Sequence, residues 1–453
     1  MNSLLSGRIF YKHQGETDMI KITKFGGSSV ANAEQFQKVK DIITADPSRR
    51  FVVISAAGKA GEDKNKITDL LYLCRAHVDY HVDYLGIFDM IKDRFLKIKA
   101  DLGLETKIEK ELEELSRNLP KLSTDELVSR GEYFTSRMMA DFLGYPFVDA
   151  KDVIRFNFDG TVNFEETEKE LGIAMMKYER FVIPGFYGSL PDGAIKVMSR
   201  GGSDITGSIL AKCLKADIYE NWTDVSGFMM ADPRIVENPR QIEKITYAEL
   251  RELSYMGASV LHEDAVFPVK EANIPINVRN TNKPDDRGTI ILDSIAPSEK
   301  DPRVTGIAGR KGFAAFALYK QHMAEDPAFL SRAMGVFLKF GVTVEHMPSG
   351  IDSVSFVVKE KEVSNRVYDI IVALREELKP DDVKYMGDIS LIAVVGRNMA
   401  TRPGTSGKIF TALGADKVNV KIIIQSFDEI NILVGVATED FDRAVNAIYH
   451  SFD

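Results

Sequence analysis

Lys24-Phe25-Gly26-Gly27-Ser28-Ser29-Val30 follows the apolar run Met19–Ile22 and leads into a helical pattern starting at Ala33. A lysine beside paired glycines at a strand-to-helix turn suits a phosphate. Glycine lets backbone N–H groups approach anionic oxygens, the helix presents its positive end, and lysine adds a mobile charge. The segment is neither a Walker A loop nor a G-x-G-x-x-G dinucleotide turn, and taken alone it also reads as a plain glycine-rich connection. A second segment, Ser199-Arg200-Gly201-Gly202-Ser203-Asp204, again sets two glycines at a helix start. Ser203 or Asp204 is expected to cap that helix, Arg200 can hold a carboxylate by a bidentate pair, and Asp204 can meet an ammonium or order metal-bound phosphates. In the third, Trp222-Thr223-Asp224 through Met229, Asp232 and Arg234, the two aspartates are candidates for ribose or adenine donors and Arg234 for a phosphate. The fourth is Ser129-Arg130-Gly131-Glu132 on a helix, where a partly buried Glu132 needs a cation: an amino-acid ammonium or an internal arginine.

These segments need elements to position them. Short, continuous, β-branched runs at 19–24, 50–55, 146–149, 181–184, 217–220 and 275–279 read as strands buried on both faces. Helical periodicity fills 33–44, 66–98, 105–117, 123–143 and 203–214. The alternation predicts an α/β domain with a largely parallel sheet between helices, and ligands beyond the strands' carboxyl ends. Turn-rich punctuation at 281–303 marks a change. Beyond it, strands are expected at 304–308, 313–319, 342–347 and 353–358, with helices at 329–340 and 363–377. A second round runs through 389–396, 407–413, 420–425, 431–437 and 440–450. Each round approximates a ferredoxin-like unit of about 70 residues, suited to binding or assembly.

Composition narrows the class. A chain of 453 residues is expected to hold two to four domains. Net charge of −9 argues against a dominant nucleic-acid surface. No apolar run approaches the ~20 residues of a membrane span. Cys74 and Cys213 give neither a disulfide framework nor a metal spacing, so a cytoplasmic location is expected. Residues 1–18 are polar and unpatterned and are expected to be a disordered extension, with Met19 the structural start.

Together the segments resemble the aspartokinase family of the amino-acid kinase superfamily. KFGGSSV at 24–30, VVISA at 52–56, ITDLL at 67–71, ELVSRGE at 126–132, SRGGSD at 199–204, WTDVSGFMMADPR at 222–234 and GASVLH at 257–262 occur in the family's order. The resemblance implies a three-layer kinase sandwich over 19–303, followed by two βαββαβ ACT domains at 304–386 and 387–453. It implies that Lys24, Gly26 and Gly27 hold the β- and γ-phosphates, and that Ser55 and Thr68 sit in the aspartate and phosphate region. Arg200, with Gly201, Gly202 and Ser203, would clamp the α-carboxylate; Glu132 and Asp204 would meet the α-ammonium. Thr223, Asp224, Met229, Asp232, Arg234 and Ser259 would serve the nucleotide. Three departures fall on that side: Met229 stands where many relatives carry Tyr, Ser259 where many carry Lys, and Glu263 where Pro is usual. The charged loop 58–66 is also longer than usual. His262 reads as a core or turn histidine, since no second His stands at metal spacing.

The expected reaction is phosphotransfer from ATP to the β-carboxylate of L-aspartate, the first step of aspartate-family amino-acid biosynthesis. That nucleophile is ionised at neutral pH, so no enzyme base is required. Mg2+ would be held mainly by the ATP phosphates, without a protein metal cage. Met323, Asp326, Phe329, Leu330, Val344 and Glu345 are expected to frame an effector pocket for an end-product amino acid such as lysine or threonine, in a homo-oligomer, most simply a dimer, paired through the ACT domains. With no further domain after Asp453, a monofunctional kinase is expected. The alternatives are another phosphotransferase of the superfamily and a catalytically impaired ACT-type amino-acid sensor.

Overall fold

A computed structural model describes residues 19–59, 61, 65–199, 201–258, 261, 263–296, 298 and 301–452. The 1–18 extension, Arg200, Ser259 and His262 lie outside them. The chain divides into two compact units, Met1–Glu220 and Asn221–Asp453. The division falls inside the stretch 19–303 expected to form the kinase domain.

In the first unit, strands β1 (Lys21–Phe25), β2 (Phe51–Ile54) and β3 (Phe181–Pro184) run in the order β3-β2-β1. Both pairings are parallel, with Phe25 opposite Ile54 and Ile54 opposite Pro184. β2 and β3 are buried at every position, as strands covered by helices on both faces must be. β6 (Ile218–Thr223) joins on the other side of β1. Between β3 and β6 lies a small hairpin, β4 (Tyr187–Ser189) with β5 (Ile195–Val197). The stretch 146–149 is not a strand; it makes one bridge, Phe147 to Val182.

The helices of this unit are α1 (Ala33–Thr44), α2 (Ile67–Asp79), α3 (Leu85–Leu102), α4 (Glu109–Asn118), α5 (Thr124–Leu143), α6 (Ala150–Val153), α7 (Phe164–Lys177) and α8 (Gly202–Cys213). The single helix expected over 66–98 is therefore two. The break carries neither glycine nor proline: His81 takes a left-handed φ of 55°, and the Asp83 carboxylate then accepts from the Leu85 N–H at 3.0 Å. That Asx contact opens α3.

The second unit holds β7 (Lys244–Thr246), β8 (Ile276–Asn280) and β9 (Thr289–Leu292), ordered β8-β9-β7, with α9 (Tyr247–Tyr255) and α10 (Glu263–Glu271). A six-stranded antiparallel sheet follows. Its strands are β10 (Gly306–Tyr319), β11 (Val344–His346), β12 (Ser353–Lys359), β13 (Asp382–Val395), β14 (Ile422–Gln425) and β15 (Asn431–Ala437). Their order is β11-β12-β10-β13-β15-β14. Helices α11 (Phe329–Lys339), α12 (Glu360–Val363), α13 (Val367–Leu378), α14 (Thr405–Ala415) and α15 (Phe441–Phe452) cover it.

This sheet corrects the linear reading of two consecutive repeats. The strands expected at 304–308 and 313–319 are one strand, irregular only between Arg310 and Ala315. Its first half, Gly306–Arg310, pairs with Leu391–Val395; its second, from Ala315, pairs with Asp382–Met386. Gly306–Arg310 of the stretch 304–386 therefore pairs with the stretch 387–453, and a cut at 386/387 crosses these hydrogen bonds. The 313–386 half closes over Phe316, Phe329, Phe337 and Phe356, all fully buried.

Candidate active site

The turn after β1 and the loop after β2 are fastened to each other. Gly58 N–H donates to the Gly27 carbonyl at 2.8 Å, and Ser55 N–H to that of Phe25 at 3.2 Å. The approach is too close for any side chain. A Cβ on Gly58 would stand 2.5 Å from the Gly27 carbonyl carbon and 2.7 Å from Ser28 N; one on Gly27 would stand 2.8 Å from Ala56 O. All are backbone atoms that cannot step aside, so glycine is required at both positions for contact.

Lys24, the penultimate residue of β1, is 7% exposed, and its ammonium pairs with the Asp204 carboxylate in the first turn of α8. A buried cation at the carboxyl end of a parallel strand is placed to receive an anion. The expected capping of α8 is corrected. Gly201 is the cap residue, at a left-handed φ of 82°, and has no side chain to cap with. Ser203 is buried inside the first turn, and Asp204 is committed to Lys24. Thr68 lies in the first turn of α2, whose Ile67 N–H donates to Ala57 O at 3.2 Å. Ser55 stands half-buried at the end of β2.

Glu132 lies on the face of α5 that packs against this loop. It is 5% exposed, and its Oε2 has no hydrogen-bond partner among the described residues. Burial pushes its carboxyl up to about 8, against backbone hydrogen bonds from its own residue and Ala56. The internal arginine that might have served it does not. Arg130 donates to the Ser129 hydroxyl at 2.9 Å and lies over the Tyr133 ring. A buried carboxyl with an unsatisfied oxygen is a site prepared for a cation that the described residues do not supply.

The second unit carries a cavity of about 560 Å3. Asp224, Met229, Asp232 and Arg234 line it, and Thr223 donates to Asp224 Oδ1 at 3.1 Å. Arg234 grips the Asp232 carboxylate through Nε at 3.0 Å and Nη2 at 2.6 Å, and these hydrogen bonds hold that carboxyl below its usual range. The opposite wall is apolar: Leu253, Met256, Ile307 and Val445. Such a volume, mostly apolar with a few polar groups, suits a nucleoside. The sequence reading missed this wall, because its residues come from segments far apart in the chain and carry no local signal. It also missed Arg94, whose signal was legible: a charged residue on the buried stripe of α3 formed by Ile91, Phe95 and Ile98.

The residues expected to frame an effector pocket are largely committed within the chain. Asp326 pairs with Arg332 and, at 3.4 Å, with Lys320, and caps the turn before α11 through the Ala328 N–H. The Glu345 side chain, 2% exposed, pairs with Lys359 at 2.7 Å and accepts from the Tyr255 hydroxyl. Phe329 and Met323 are core residues, whereas Leu330 is exposed and Val344 half-buried.

Comparison with known proteins bears on the same residues. A model of the amino acid kinase family matches residues 19–280, and one of the ACT domain matches 392–452. Aspartokinase 3 of Bacillus subtilis is 34% identical over 449 residues, spanning 96% of this chain and 98% of its own. The crystal structure of Clostridium acetobutylicum aspartate kinase superposes with a TM-score of 0.90 at 45% identity, covering 96% of this chain and 100% of that one. Escherichia coli aspartokinase III, in complex with lysine and aspartate, has the same fold at 24% identity and a TM-score of 0.74, covering 96% and 100%. On these grounds the chain belongs to the aspartokinase branch of the amino acid kinase family.

Proposed function

We propose that this protein transfers the γ-phosphoryl group of ATP to the β-carboxylate of L-aspartate, giving β-aspartyl phosphate and ADP. The observation that carries the proposal is Glu132: a buried carboxyl with an unpartnered oxygen, set against the loop that packs on the Gly27 turn. The α-ammonium of an amino acid is the cation it lacks. The α-carboxylate is assigned to Arg200 and the α8 N-terminus with Gly201, Gly202 and Ser203, and Ser55 and Thr68 to the side chain and its incoming phosphoryl group. The nucleoside is assigned to the Asp224–Arg234 cavity, with Ser259 among its contacts.

The nucleophile is already ionised, so the protein's task is electrostatic and positional. Lys24 and the backbone N–H groups at Gly26 and Gly27 offset the repulsion between the carboxylate and the phosphoryl oxygens. Asp204 keeps the Lys24 ammonium at the end of β1 until phosphate displaces it. Mg2+ carried on the phosphates would add charge neutralisation, and the Asp204 carboxylate, a hard oxygen donor, suits hydrogen bonds to its waters. The test is ADP release with Mg-ATP and L-aspartate, repeated with L-glutamate. Turnover with aspartate alone supports the reading; turnover with glutamate alone defeats it.

Regulation by an end-product amino acid is part of the same proposal. The ACT sheet provides the framework, with Met323, Asp326, Phe329, Leu330, Val344 and Glu345 around the effector. Because Asp326 and Glu345 are already paired, an effector ammonium must displace Arg332 or Lys359, and that displacement is what would bias one state over another. Assembly of a dimer through this sheet is proposed on one of its two edges, β14, which exposes Ile423. Rate measurements with lysine and with threonine, and sedimentation of the purified chain, test both parts.

A further inference from the structure

The structure assigns to Arg94 the task of holding the two ligand loops of the first unit at their working separation. This inference rests on the aspartate kinase reading above. Arg94 sits in the middle of α3 at 6% exposure, far in sequence from every segment that resembles the family's binding motifs. Its guanidinium reaches three backbone carbonyls. Nη2 donates to Gly58 O, at the start of the long loop after β2, and lies 3.4 Å from Ala31 O, which ends the turn begun by Gly27. Nη1 donates to Asn65 O at 2.8 Å, where the same loop enters α2. One planar fork therefore fastens the exit of the phosphate turn to both ends of the loop between Ser55 and Thr68.

A guanidinium is suited to this and an ammonium is not. Its donors diverge in a fixed plane, so one side chain can bind carbonyls on separate segments, whereas lysine supplies a single point. The contacts also have electrical consequences. Carbonyl oxygens close to a polyphosphate repel it, and here three are turned toward a buried cation. A trans peptide directs its N–H opposite to its C=O, so binding the Gly58 and Asn65 carbonyls fixes the Lys59 and Lys66 N–H groups on the other side. The longer charged loop is thus tied at its base.

Arg94 touches neither substrate in this assignment; it is a positioning residue. Its loss should leave nucleoside binding in the second unit intact and impair the chemical step. The test compares Arg94→Ala and Arg94→Lys with the unmodified chain. Measured for each are kcat and KM for ATP and aspartate, ADP binding by calorimetry, and hydrogen exchange of the 57–67 amides. The expected result is a fall in kcat of about 10²-fold for Arg94→Ala, the scale of a loop misplaced by an ångström. ADP affinity should change far less than kcat, since its nucleoside is held in the second unit, and exchange across 57–67 should be faster. Millimolar guanidinium ion should restore part of kcat in Arg94→Ala and none in a Lys24→Ala control. Arg94→Lys, which keeps the charge and most of the volume, covers a failure of the alanine variant to fold and should still lose about tenfold in kcat. Wild-type kcat in either folded variant, or unchanged exchange at 57–67, overturns the inference. Absence of aspartate-dependent ADP release from the unmodified chain overturns the reading beneath it instead, and the positioning role with it.

Discussion

Glu132 separates function from stability more sharply than any other side chain described. Its carboxyl is raised from an ordinary 4.5 to about 8 by burial. The folded chain therefore holds a proton between those values that the unfolded chain has released, and this group's contribution to stability falls as pH rises from about 4.5 to 8. Glu132→Gln removes the titration while keeping the shape. The ligand-free variant should melt above the parent at pH 8, by several kcal/mol in stability, and the advantage should vanish at pH 4. Aspartate-dependent turnover should meanwhile fall by about 10²-fold or more, because the amide cannot pair with an ammonium. Thermal melts at the two pH values and one kinetic series check both halves. A variant less stable at pH 8 would mean that Glu132 is ordinary core structure.

At the scale of elements, the Gly27–Gly58 contact is the joint of the site. Gly58→Ala puts a methyl group into the Gly27 backbone and must push the two loops apart. We expect about 1–3 kcal/mol lost in denaturant unfolding and a larger proportional loss of kcat, about 10²-fold. Much of this architecture was legible in the sequence. α1 spans the residues expected of it, and β1, β2 and β3 fall within a residue or two of the apolar runs. Their signals are local: periodicity, an Asn32 cap and continuous β-branched burial. What was illegible depends on partners distant in the chain. The first half of β13, with Asp382, Lys384 and Asp388 among its residues, looks polar and becomes a strand because β10 pairs with it. The break between α2 and α3 turns on one left-handed histidine. Of the site itself, the glycine turns and Lys24 could be read directly. The pairing of Lys24 with Asp204 and the missing partner of Glu132 are properties of packing that no spacing reports.

For the molecule as a whole, the division at Glu220/Asn221 sorts the chemistry. The residues assigned to the phosphates and the amino acid belong to the first unit; those assigned to the nucleoside share the second with the six-stranded sheet. Within that second unit, Glu249 is the tie. It closes a capping box with Thr246 at the start of α9 and accepts from Thr305 at 2.6 Å, before β10, and from Arg397 N–H at 2.8 Å, after β13. Burial pushes its carboxyl up, but the hydrogen bonds from Thr305, Thr246 and Arg397 prevail and leave it below the usual range. Its stabilisation is therefore present above the unfolded value and is lost as acid protonates it in the folded state. Glu249→Ala should cost about 1–3 kcal/mol by removing the acceptor shared by Thr246, Thr305 and Arg397, although Arg397 keeps Asp301 at 3.2 Å, read as a lower denaturation midpoint near pH 7. The difference from the parent should narrow as pH falls well below 4.5. No narrowing would contradict the role given to this carboxylate.

The most direct test of the account is steady-state ADP release by the full chain with Mg-ATP, with and without L-aspartate, set beside Lys24→Ala. The account predicts aspartate-dependent release, reduced about 10²-fold or more in the variant while its fold persists. Release that ignores aspartate, or a Lys24→Ala variant that turns over at the parent rate, would contradict it.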